Sequence, residues 1–241
     1  MTKISTAMLL AAGLGTRMKP LTDAKPKPLI DVAGRTLVDR VLDKLAAQGV
    51  TRAIVNVHYL ADQMEAHLRQ RKDLEIIISD ERALLLETGG GVVKALPLLG
   101  DDPFFVVNTD VTWATKGDQS FANMAAAYDP AKMDALLLLA DMKETLGFRG
   151  AGDFYLETDG RVSRRGERAT APYVFAGTHI TRGELLRGYE AKPFSANTYW
   201  NTFDKAGRLY GTVMSPFWMH VGDPPGRDEA EARLKTMEPG S

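Results

Sequence analysis

The chain has 241 residues, of which 44% are apolar and 25% charged, so it can bury a core and is not a disordered protein. Its 30 basic and 31 acidic residues give a net charge of −1, which excludes broad nucleic-acid binding because that needs an excess of positive charge. The absence of cysteine excludes disulfides and thiol catalysis, and no apolar run reaches the roughly 18 to 20 residues of a membrane span, so we expect a cytoplasmic protein without a membrane partner.

Strand and helix patterns alternate along the first part of the chain. Short, apolar segments bounded by turn residues predict strands at 7–12, 53–57, 74–78, 104–108 and 135–140. Apolar residues at helical spacing predict helices at 37–47, 61–70, 91–99 and 120–128. This alternation predicts an α/β fold with a mostly parallel sheet covered by helices on both faces.

The second part of the chain is less regular. The patterns predict a hairpin over 154–162, strands at 173–179 and 209–214, and helices at 197–205 and 227–237. Thr181 with Glu184 fits a capping box for a further helix that would run through Leu186. Without a repeat or a linker, the simplest description is one domain over residues 1–241.

A glycine-rich segment, LAAGLGTRMKPLT, begins in the first predicted strand. Gly13 and Gly15 follow the apolar residues, where an open parallel sheet binds ligands, and a glycine turn can point its N–H groups at phosphate. A dinucleotide fingerprint needs a third glycine, but Met18 stands there, and a Walker loop is also absent. These departures disfavour a nicotinamide-dependent dehydrogenase.

Two cations accompany this turn. Arg17 lies in the loop itself, and Lys27 stands between Pro26 and Pro28. Because proline fixes φ and biases the preceding residue to an extended form, we expect Lys27 on a pre-ordered, extended segment. A guanidinium and an ammonium placed in this way could converge on one triphosphate and act in catalysis.

The segment LAAGLGTRMKPLT…KPKPL resembles the signature of sugar-1-phosphate nucleotidyltransferases. The resemblance implies a Rossmann-like fold of the nucleotide-diphospho-sugar transferase type. It implies that Arg17 grips the pyrophosphate part of the nucleotide and that Lys27 contacts the phosphates at the reacting centre. The remaining nucleotide-binding residues expected from this segment are Leu10, Ala11, Ala12, Gly13, Gly15 and Thr16.

A second motif, LLLETGGGVVKAL, places three glycines before a predicted helix. Thr88 could be a simple helix cap, or the backbone N–H groups could bind an anion or a base edge. The text LETGGG resembles the branch of the family that acts on N-acetylmuramate 1-phosphate and related sugars, which implies that Thr88 and Gly89 meet the nucleobase. Glu81 could accept a hydrogen bond from uracil N3–H, which favours UTP, although guanine also offers N–H donors.

A third motif, FFVVNTD, ends an apolar strand in a carboxylate. Asp110 could terminate the strand as a turn or cap residue, or hold Mg²⁺, which normally takes one or two carboxylates plus substrate phosphates. The family commonly shows glycine where Thr109 stands, and the resemblance implies the metal role for Asp110 and contacts to nucleotide and sugar for Asn108.

The second metal ligand of the family comes from a W-x-D-V-G-T segment, which here is WMHVGD. His220 stands in place of the aspartate and Asp223 in place of the threonine. Four alternatives stay open: His220 ligates a metal, His220 donates to phosphate, Asp223 has taken over as the ligand, or His220 is a structural histidine only.

The resemblance places the sugar contacts near GFRGAGDFYL and the strand after it. We expect Gly152, Asp153 and Tyr173 to contact the sugar, together with Asn108. Arg164 and Arg165 replace the family's Glu-Glu-Lys motif, and they could serve an acidic sugar or form a solvated basic turn.

The function implied is Mg²⁺-dependent transfer of a uridylyl group from UTP to N-acetylmuramate 1-phosphate in cell-wall recycling, with release of pyrophosphate. The nucleotide-binding part would extend to about residue 115 and the sugar-binding part over about 116–241. Mannose 1-phosphate or another hexose 1-phosphate with GTP, and a non-catalytic nucleotide-binding regulator, remain alternatives. We expect a monomer or a small homo-oligomer.

Overall fold

The computed structural model describes residues 4–113 and 118–237. The strands are β1 (Thr6–Leu10), β2 (Asp31–Val32), β3 (Arg35–Thr36), β4 (Arg52–Val57), β5 (Glu75–Asp80), β6 (Pro103–Asn108), β7 (Val111–Trp113), β8 (Ala135–Asp141), β9 (Thr145–Leu146), β10 (Phe154–Leu156), β11 (Val162–Arg164), β12 (Tyr173–Arg182), β13 (Leu209–Val213) and β14 (Trp218–His220). The α-helices are α1 (Leu37–Ala47), α2 (Ala61–Leu68), α3 (Glu87–Leu99), α4 (Ser120–Ala127), α5 (Asn197–Lys205) and α6 (Pro224–Met237). No helix in the described ranges is both long and apolar enough to cross a membrane.

One nine-stranded sheet runs through both parts of the chain. Its path is β11-β10-β12-β6-β1-β4-β5, and β8 joins β12 to β13. Strands β6, β1, β4 and β5 are mutually parallel, whereas β12 runs antiparallel to β6, β8 and β10. The predicted fold class is confirmed as a mixed, mostly parallel sheet flanked by helices.

The strand β1 shows how the sheet divides the core into two layers. Ala7 and Leu9 pack in one layer with α1, α2 and α4, while Met8 packs in the other with α3 and α5. Successive side chains of a strand point to opposite faces, so an almost wholly apolar strand buries both. The apolar run that begins the chain's first motif is therefore a central strand.

The helix α1 begins and ends at the predicted residues. Thr36 accepts a hydrogen bond from the backbone N–H of Asp39 at its start, and Gly49 follows its end with a φ of 92°. A Thr N-cap and a left-handed glycine are common at helix termini. Helix α5 also matches its predicted bounds, and the other predicted elements differ at their ends by a few residues.

The predicted capping box at Thr181 is wrong. Thr181 pairs with Phe104 inside β12, and its hydroxyl donates to the carbonyl oxygen of Asp134 at 2.9 Å. Strand pairing therefore engages the residue that the motif needs as a cap, and only a short 3-10 helix, Gly183–Leu185, follows.

The start of α3 also differs from the prediction. The helix begins at Glu87, four residues before the predicted Gly91, so all three glycines of LETGGG lie inside it. Thr88 is not its cap, because the Thr88 hydroxyl accepts a hydrogen bond from the backbone N–H of Ala196 at 2.8 Å. Tertiary contacts to a distant segment decide the conformation of this glycine run.

Candidate active site

A cavity of about 410 Å³ opens at the carboxyl ends of β1, β4 and β6. It is lined by Leu10, Ala11, Ala12, Gly13, Lys27, Pro28, Asn56, Leu85, Glu87, Thr88, Asn108, Thr109, Asp110 and Ser195. We call it the larger cavity, to distinguish it from a smaller one that adjoins it. Ligands bind at this edge in open parallel sheets, and the volume is within the usual range for small-molecule sites.

The backbone turns away from the sheet where β1 ends. The N–H groups of Ala11 and Ala12 donate to the side-chain oxygen of Asn56, at 2.6 and 3.2 Å. Strand β1 therefore ends at Leu10 and not at the predicted Ala12, because these two groups bond to a side chain instead of a neighbouring strand.

Lys27 reaches the larger cavity from a short 3-10 helix, Lys27–Leu29. Pro26 is extended, but Lys27 is not, which corrects the predicted extended conformation. Hydrogen bonds from the N–H of Leu29 to Pro26 and of Ile30 to Lys27 close the turn, and Pro28 fits its first positions because no N–H is needed there.

Gly15 supports the position of Lys27. Its φ is 64°, and a β-carbon built there would lie 3.0 Å from the β-carbon of Lys27 and 2.9 Å from Thr22. Only glycine fits this left-handed conformation and this close approach. Gly15 therefore acts through packing and does not line the cavity.

Lys27 and Asp110 form an ion pair in the larger cavity. The ammonium donates to Oδ2 of Asp110 at 3.0 Å, and the two side chains are 13% and 27% exposed. Burial alone would raise the pKa of Asp110, but the Lys27 charge, with the His220 imidazole also close by, outweighs burial and lowers that pKa well below its ordinary value. Asp110 is therefore a carboxylate, as a metal ligand must be.

His220 lies beside this pair. Strand β14 pairs His220 with Val111 of β7, which brings Nε2 of His220 to 3.7 Å from Oδ2 of Asp110. The imidazole stacks on Trp218 with ring centroids 5.9 Å apart. His220 is thus close to Asp110 but does not line the larger cavity.

Asp223 works as a helix cap. Its Oδ1 accepts the backbone N–H of Gly226 at 2.8 Å, in the first turn of α6. A carboxylate at a helix start is bonded in this way in many proteins. This geometry favours His220 over Asp223 as the neighbour of any metal on Asp110.

Residues 4–113 and 118–237 contain no group of three or more acidic, histidine or cysteine side chains that could enclose a metal ion. Mg²⁺ does not need such a cage, since it is usually held by one or two carboxylates plus substrate phosphates. A single Asp110 carboxylate on a ligand-sized cavity, next to a lysine, fits that mode of binding.

The glycine run of LETGGG packs against a distant segment instead of lining the cavity. The N–H groups of Gly89 and Gly90 both donate to the carbonyl oxygen of Phe194, at 2.8 and 3.2 Å. A β-carbon at Gly89 would lie 2.4 Å from the Phe194 ring, and one at Gly90 would lie 2.0 Å from the Lys192 carbonyl oxygen. Gly89 is therefore removed from the predicted base-contacting residues, because its N–H is already engaged.

The prediction that Glu81 contacts uracil also does not fit the structure. Its side chain is 0% exposed, and it does not line the larger cavity. One carboxylate oxygen accepts from the side-chain amide of Asn56 at 2.8 Å, and the other accepts from the backbone N–H of Leu86 at 3.0 Å. Both oxygens are bonded within the protein, so Glu81 supports the cavity wall from behind.

Glu87 is the glutamate that does line the larger cavity. Its φ of 58° is unusual for a residue with a side chain, and such outliers concentrate at functional sites. Its carboxylate makes no hydrogen bond or ion pair with another residue in the described ranges, which leaves it available to a ligand.

A smaller cavity of about 190 Å³ adjoins the larger one. It is lined by Leu10, Thr88, Asn108, Phe175, His179, Ser195, Ala196, Asn197 and Trp200. Four of these residues, Leu10, Thr88, Asn108 and Ser195, line both cavities, so the two spaces adjoin each other.

The walls of the smaller cavity are uncharged. Burial lowers the pKa of His179 to about 3, so this histidine is neutral near pH 7, and its Nε2 lies 3.0 Å from the hydroxyl of Tyr199. Phe175 and Trp200 form an edge-to-face aromatic pair with centroids 4.7 Å apart. Such a space suits an uncharged group with both apolar and hydrogen-bonding parts.

The residues that were predicted to contact the sugar fall into two groups. Asn108 lines both cavities, whereas Gly152, Asp153 and Tyr173 line neither. Oδ2 of Asp153 accepts the N–H of Phe175 at 3.0 Å, and a β-carbon at Gly152 would lie 2.1 Å from the Ala171 carbonyl oxygen. These residues join β10 to β12, so their role in the structure is to hold the sheet together.

Arg17 and Thr16 lie in a short 3-10 helix, Thr16–Met18, which follows the lining residue Gly13 in the chain. Both side chains are exposed, and neither lines the larger cavity. The grip of Arg17 on pyrophosphate stays a prediction, and it requires a substrate that extends beyond the cavity walls.

Several lining residues escaped the sequence prediction. Asn56 carried a signal, since it is a polar residue in the apolar segment AIVNV near the carboxyl end of a strand. Ser195, Asn197 and Trp200 carried none, because they reach the site only through the packing of residues 192–196 on the glycines of α3.

Comparison with known proteins gives a consistent assignment. Residues 6–152 match the family model described as "Nucleotidyl transferase". The N-acetylmuramate alpha-1-phosphate uridylyltransferase of Caulobacter vibrioides is 48% identical over 232 residues, covering 95% of this chain and 96% of that protein. The enzyme of the same name from Neisseria meningitidis is 37% identical over 229 residues, covering 94% and 96%.

The fold has solved counterparts. The inositol-1-phosphate CTP transferase from T. maritima matches with a TM-score of 0.78 at 14% identity, covering 100% of this chain and 99% of that chain. From the family match and the two relatives, which span almost the whole chain, it follows that the chain belongs to the nucleotidyl transferase family.

Proposed function

We propose that this enzyme transfers the uridylyl group of UTP to N-acetylmuramate 1-phosphate and releases pyrophosphate. The observation that carries the proposal is the Lys27–Asp110 pair, at 3.0 Å, on a ligand-sized cavity at the carboxyl edge of the sheet. The similarity to two uridylyltransferases along nearly the whole chain supports this choice of substrates.

The nucleotide occupies the larger cavity. Leu10, Ala11, Ala12 and Gly13 line the base and ribose, and the phosphates extend toward Lys27 and Asp110. Glu87 takes the role predicted for Glu81, because its free carboxylate lines this cavity and can accept a hydrogen bond from uracil N3–H. Cytosine has an acceptor at that ring position, so a carboxylate there favours UTP over CTP.

The ring and the acetamido group of the sugar occupy the smaller cavity, next to the phosphates. Asn108 and Ser195 line both spaces and so lie between the nucleotide and the sugar. The aromatic and amide side chains of Phe175, Trp200 and Asn197 suit the sugar ring and its acetamido group, since the cavity walls carry no charge. The division at about residue 115 stays a prediction and has one exception, because Ser195 also lines the larger cavity.

The reaction needs no protein nucleophile. A phosphate oxygen of the sugar 1-phosphate attacks the α-phosphorus of UTP, a new P–O bond forms, and the bond to the β-phosphate breaks as pyrophosphate leaves. Lys27 neutralises charge on the reacting phosphates, and Arg17 binds the pyrophosphate as it departs. Positioning and charge stabilisation of this kind supply most of the catalysis in phosphoryl-type transfers.

Asp110 would hold Mg²⁺, with His220 as its neighbour. When bound, the ion would neutralise negative charge on the substrate phosphates. Lys27 would then exchange part of its ion pair with Asp110 for contacts to phosphate, because both cations compete for one carboxylate.

A substrate panel tests the proposal. Pyrophosphate release is measured with UTP, CTP, GTP and dTTP, each paired with N-acetylmuramate, N-acetylglucosamine, glucose and mannose 1-phosphates, with and without Mg²⁺. We expect the highest kcat/KM for UTP with N-acetylmuramate 1-phosphate. A higher kcat/KM for GTP with mannose 1-phosphate would mean that these two compounds are the substrates instead. UTP binding without turnover of any sugar 1-phosphate would indicate a regulator.

A further inference from the structure

The buried side chains of Glu81 and Asn56 connect two walls of the larger cavity. Asn56 accepts the backbone N–H groups of Ala11 and Ala12 on one wall. Glu81 accepts the Asn56 side-chain amide and, with its other oxygen, the backbone N–H of Leu86 next to the opposite wall. A single chain of hydrogen bonds therefore runs from the end of β1 to the start of α3.

Burial makes this connection costly to disturb. Glu81 is 0% exposed and Asn56 is 2% exposed. A buried carboxylate is normally tolerated only when its oxygens are bonded, and removing one partner leaves a buried group without a hydrogen bond. Every group in this chain of hydrogen bonds has a defined role as donor or acceptor. The side chains of Glu81 and Asn56 therefore have one low-energy arrangement.

The third glycine of LETGGG is part of the same arrangement. A β-carbon at Gly91 would lie 2.8 Å from Oε1 of Glu81 and 2.9 Å from Nδ2 of Asn56. The Glu81–Asn56 hydrogen bond therefore lies directly against the backbone of α3. This contact gives a reason for glycine at a helix-interior position, where it is otherwise unfavourable.

We propose that Glu81 and Asn56 are positioning residues that set the distance between the Ala11–Ala12 wall and the Leu85–Thr88 wall, and thereby the affinity for the nucleotide. The inference rests on the proposed function only for the identity of the nucleotide. Neither side chain needs to touch the reacting phosphates. The pair should therefore affect nucleotide binding more than turnover.

Exchange of donor and acceptor gives a sharp test. In Glu81→Gln an amide N–H faces another donor, and in Asn56→Asp two carboxylates face each other at the 2.8 Å contact. In the double variant, the introduced glutamine donates to the introduced aspartate. The glutamine oxygen still accepts from Leu86, and the aspartate still accepts from Ala11 and Ala12. Every hydrogen bond is kept with one direction reversed.

Steady-state kinetics and calorimetric UTP binding are measured for wild type, both single variants, the double variant and the exposed control Glu167→Gln, with unfolding followed in parallel. We expect each single variant to raise the KM and the Kd for UTP about tenfold, with kcat and the KM for the sugar phosphate within about threefold. The double variant should return within about threefold of wild type, as coupled residues do.

Two results would overturn the inference. One is single variants that lose stability but bind UTP like wild type, which would make the pair structural only. The other is a folded double variant that binds UTP no better than the singles. If a single variant does not fold, the folded double variant is compared with wild type instead, and a Kd for UTP about tenfold or more above the wild-type value would overturn the inference. Wild-type UTP binding without pyrophosphate release would sink the proposed function while this test still stands, whereas no UTP binding would sink both.

Discussion

The two adjoining cavities differ in charge and in how the chain builds them. The larger one contains the Lys27–Asp110 ion pair and is lined mainly by contiguous segments that follow strands. The smaller one has uncharged walls supplied by β12, α5 and the residues just before α5. The difference separates two tasks, because charge stabilises phosphate chemistry whereas a neutral, aromatic space selects a sugar.

The largest effect should come from Asp110. Asp110→Asn removes the carboxylate that would hold Mg²⁺ and leaves Lys27 without its partner, so we expect kcat/KM for pyrophosphate release to fall about 10³-fold. Asp223→Asn is the control, since that carboxylate caps α6 and an asparagine oxygen can cap in the same way, so stability and kcat/KM should both stay near wild type, kcat/KM within about threefold. Equal losses in both variants would contradict the assignment of the metal to Asp110.

The loss of Lys27 should have the second largest effect on activity. Lys27→Ala removes one cation from the reacting phosphates, and we expect kcat to fall about 10²-fold with the fold intact by circular dichroism. Lys25→Ala is a matched control, because Lys25 is exposed two residues earlier and its ammonium forms no ion pair within the described ranges. Near-normal turnover of Lys27→Ala would remove the lysine from catalysis.

The neutral wall of the smaller cavity predicts an acid-dependent loss of stability. Unfolded histidine takes a proton below its ordinary pKa of 6.5, whereas burial keeps His179 neutral down to a pKa of about 3. The unfolded state therefore binds more protons in this window, and stability falls by about 1.4 kcal/mol per pH unit as the pH drops from 6.5 toward 3.

Denaturant unfolding between about pH 7 and pH 4.5 checks this sign. His179→Gln should show a shallower pH dependence than wild type, because the titrating group is gone. Parallel curves for the two proteins would mean that His179 is not held neutral by the fold.

The carboxylate of Glu87 should decide the base. Glu87→Gln replaces an acceptor with a group that can donate to cytosine, so the ratio of kcat/KM for UTP over CTP should fall about tenfold. Glu87→Gly relieves the positive φ and should raise stability while it lowers the same ratio. An unchanged UTP/CTP ratio in both variants would show that Glu87 does not contact the base.

The smallest effect should come from the sugar side. Asn197→Ala removes an amide from the smaller cavity, and we expect the KM for N-acetylmuramate 1-phosphate to rise about fivefold with the KM for UTP unchanged. A change in the KM for UTP alone would reverse the assignment of the two cavities.

The sequence was informative where the site is built from short, contiguous segments of the chain. The segment from Leu10 to Gly13, Lys27 and Asp110 was predicted from strand ends, glycines and prolines together with the family resemblance, and these residues do line one cavity. Periodicity also predicted the α/β fold, because strands buried on both faces read as short apolar runs.

The sequence failed where a polar or glycine residue serves packing. Glu81, Gly89 and Asp153 have the chemistry of ligand contacts, but each is engaged within the protein by a partner far along the chain. Tertiary hydrogen bonds of this kind leave no local pattern. The residues before and within α5 were missed for the converse reason, since they enter the site only through the glycines of α3.

The most direct test is a crystal structure with Mg²⁺ and a non-hydrolysable UTP analogue. The account predicts the uracil ring beside Glu87, the divalent ion on Asp110, and the ammonium of Lys27 on a phosphate oxygen. An analogue whose phosphates lie away from Lys27 and Asp110, with that pair still closed at 3.0 Å, would contradict it.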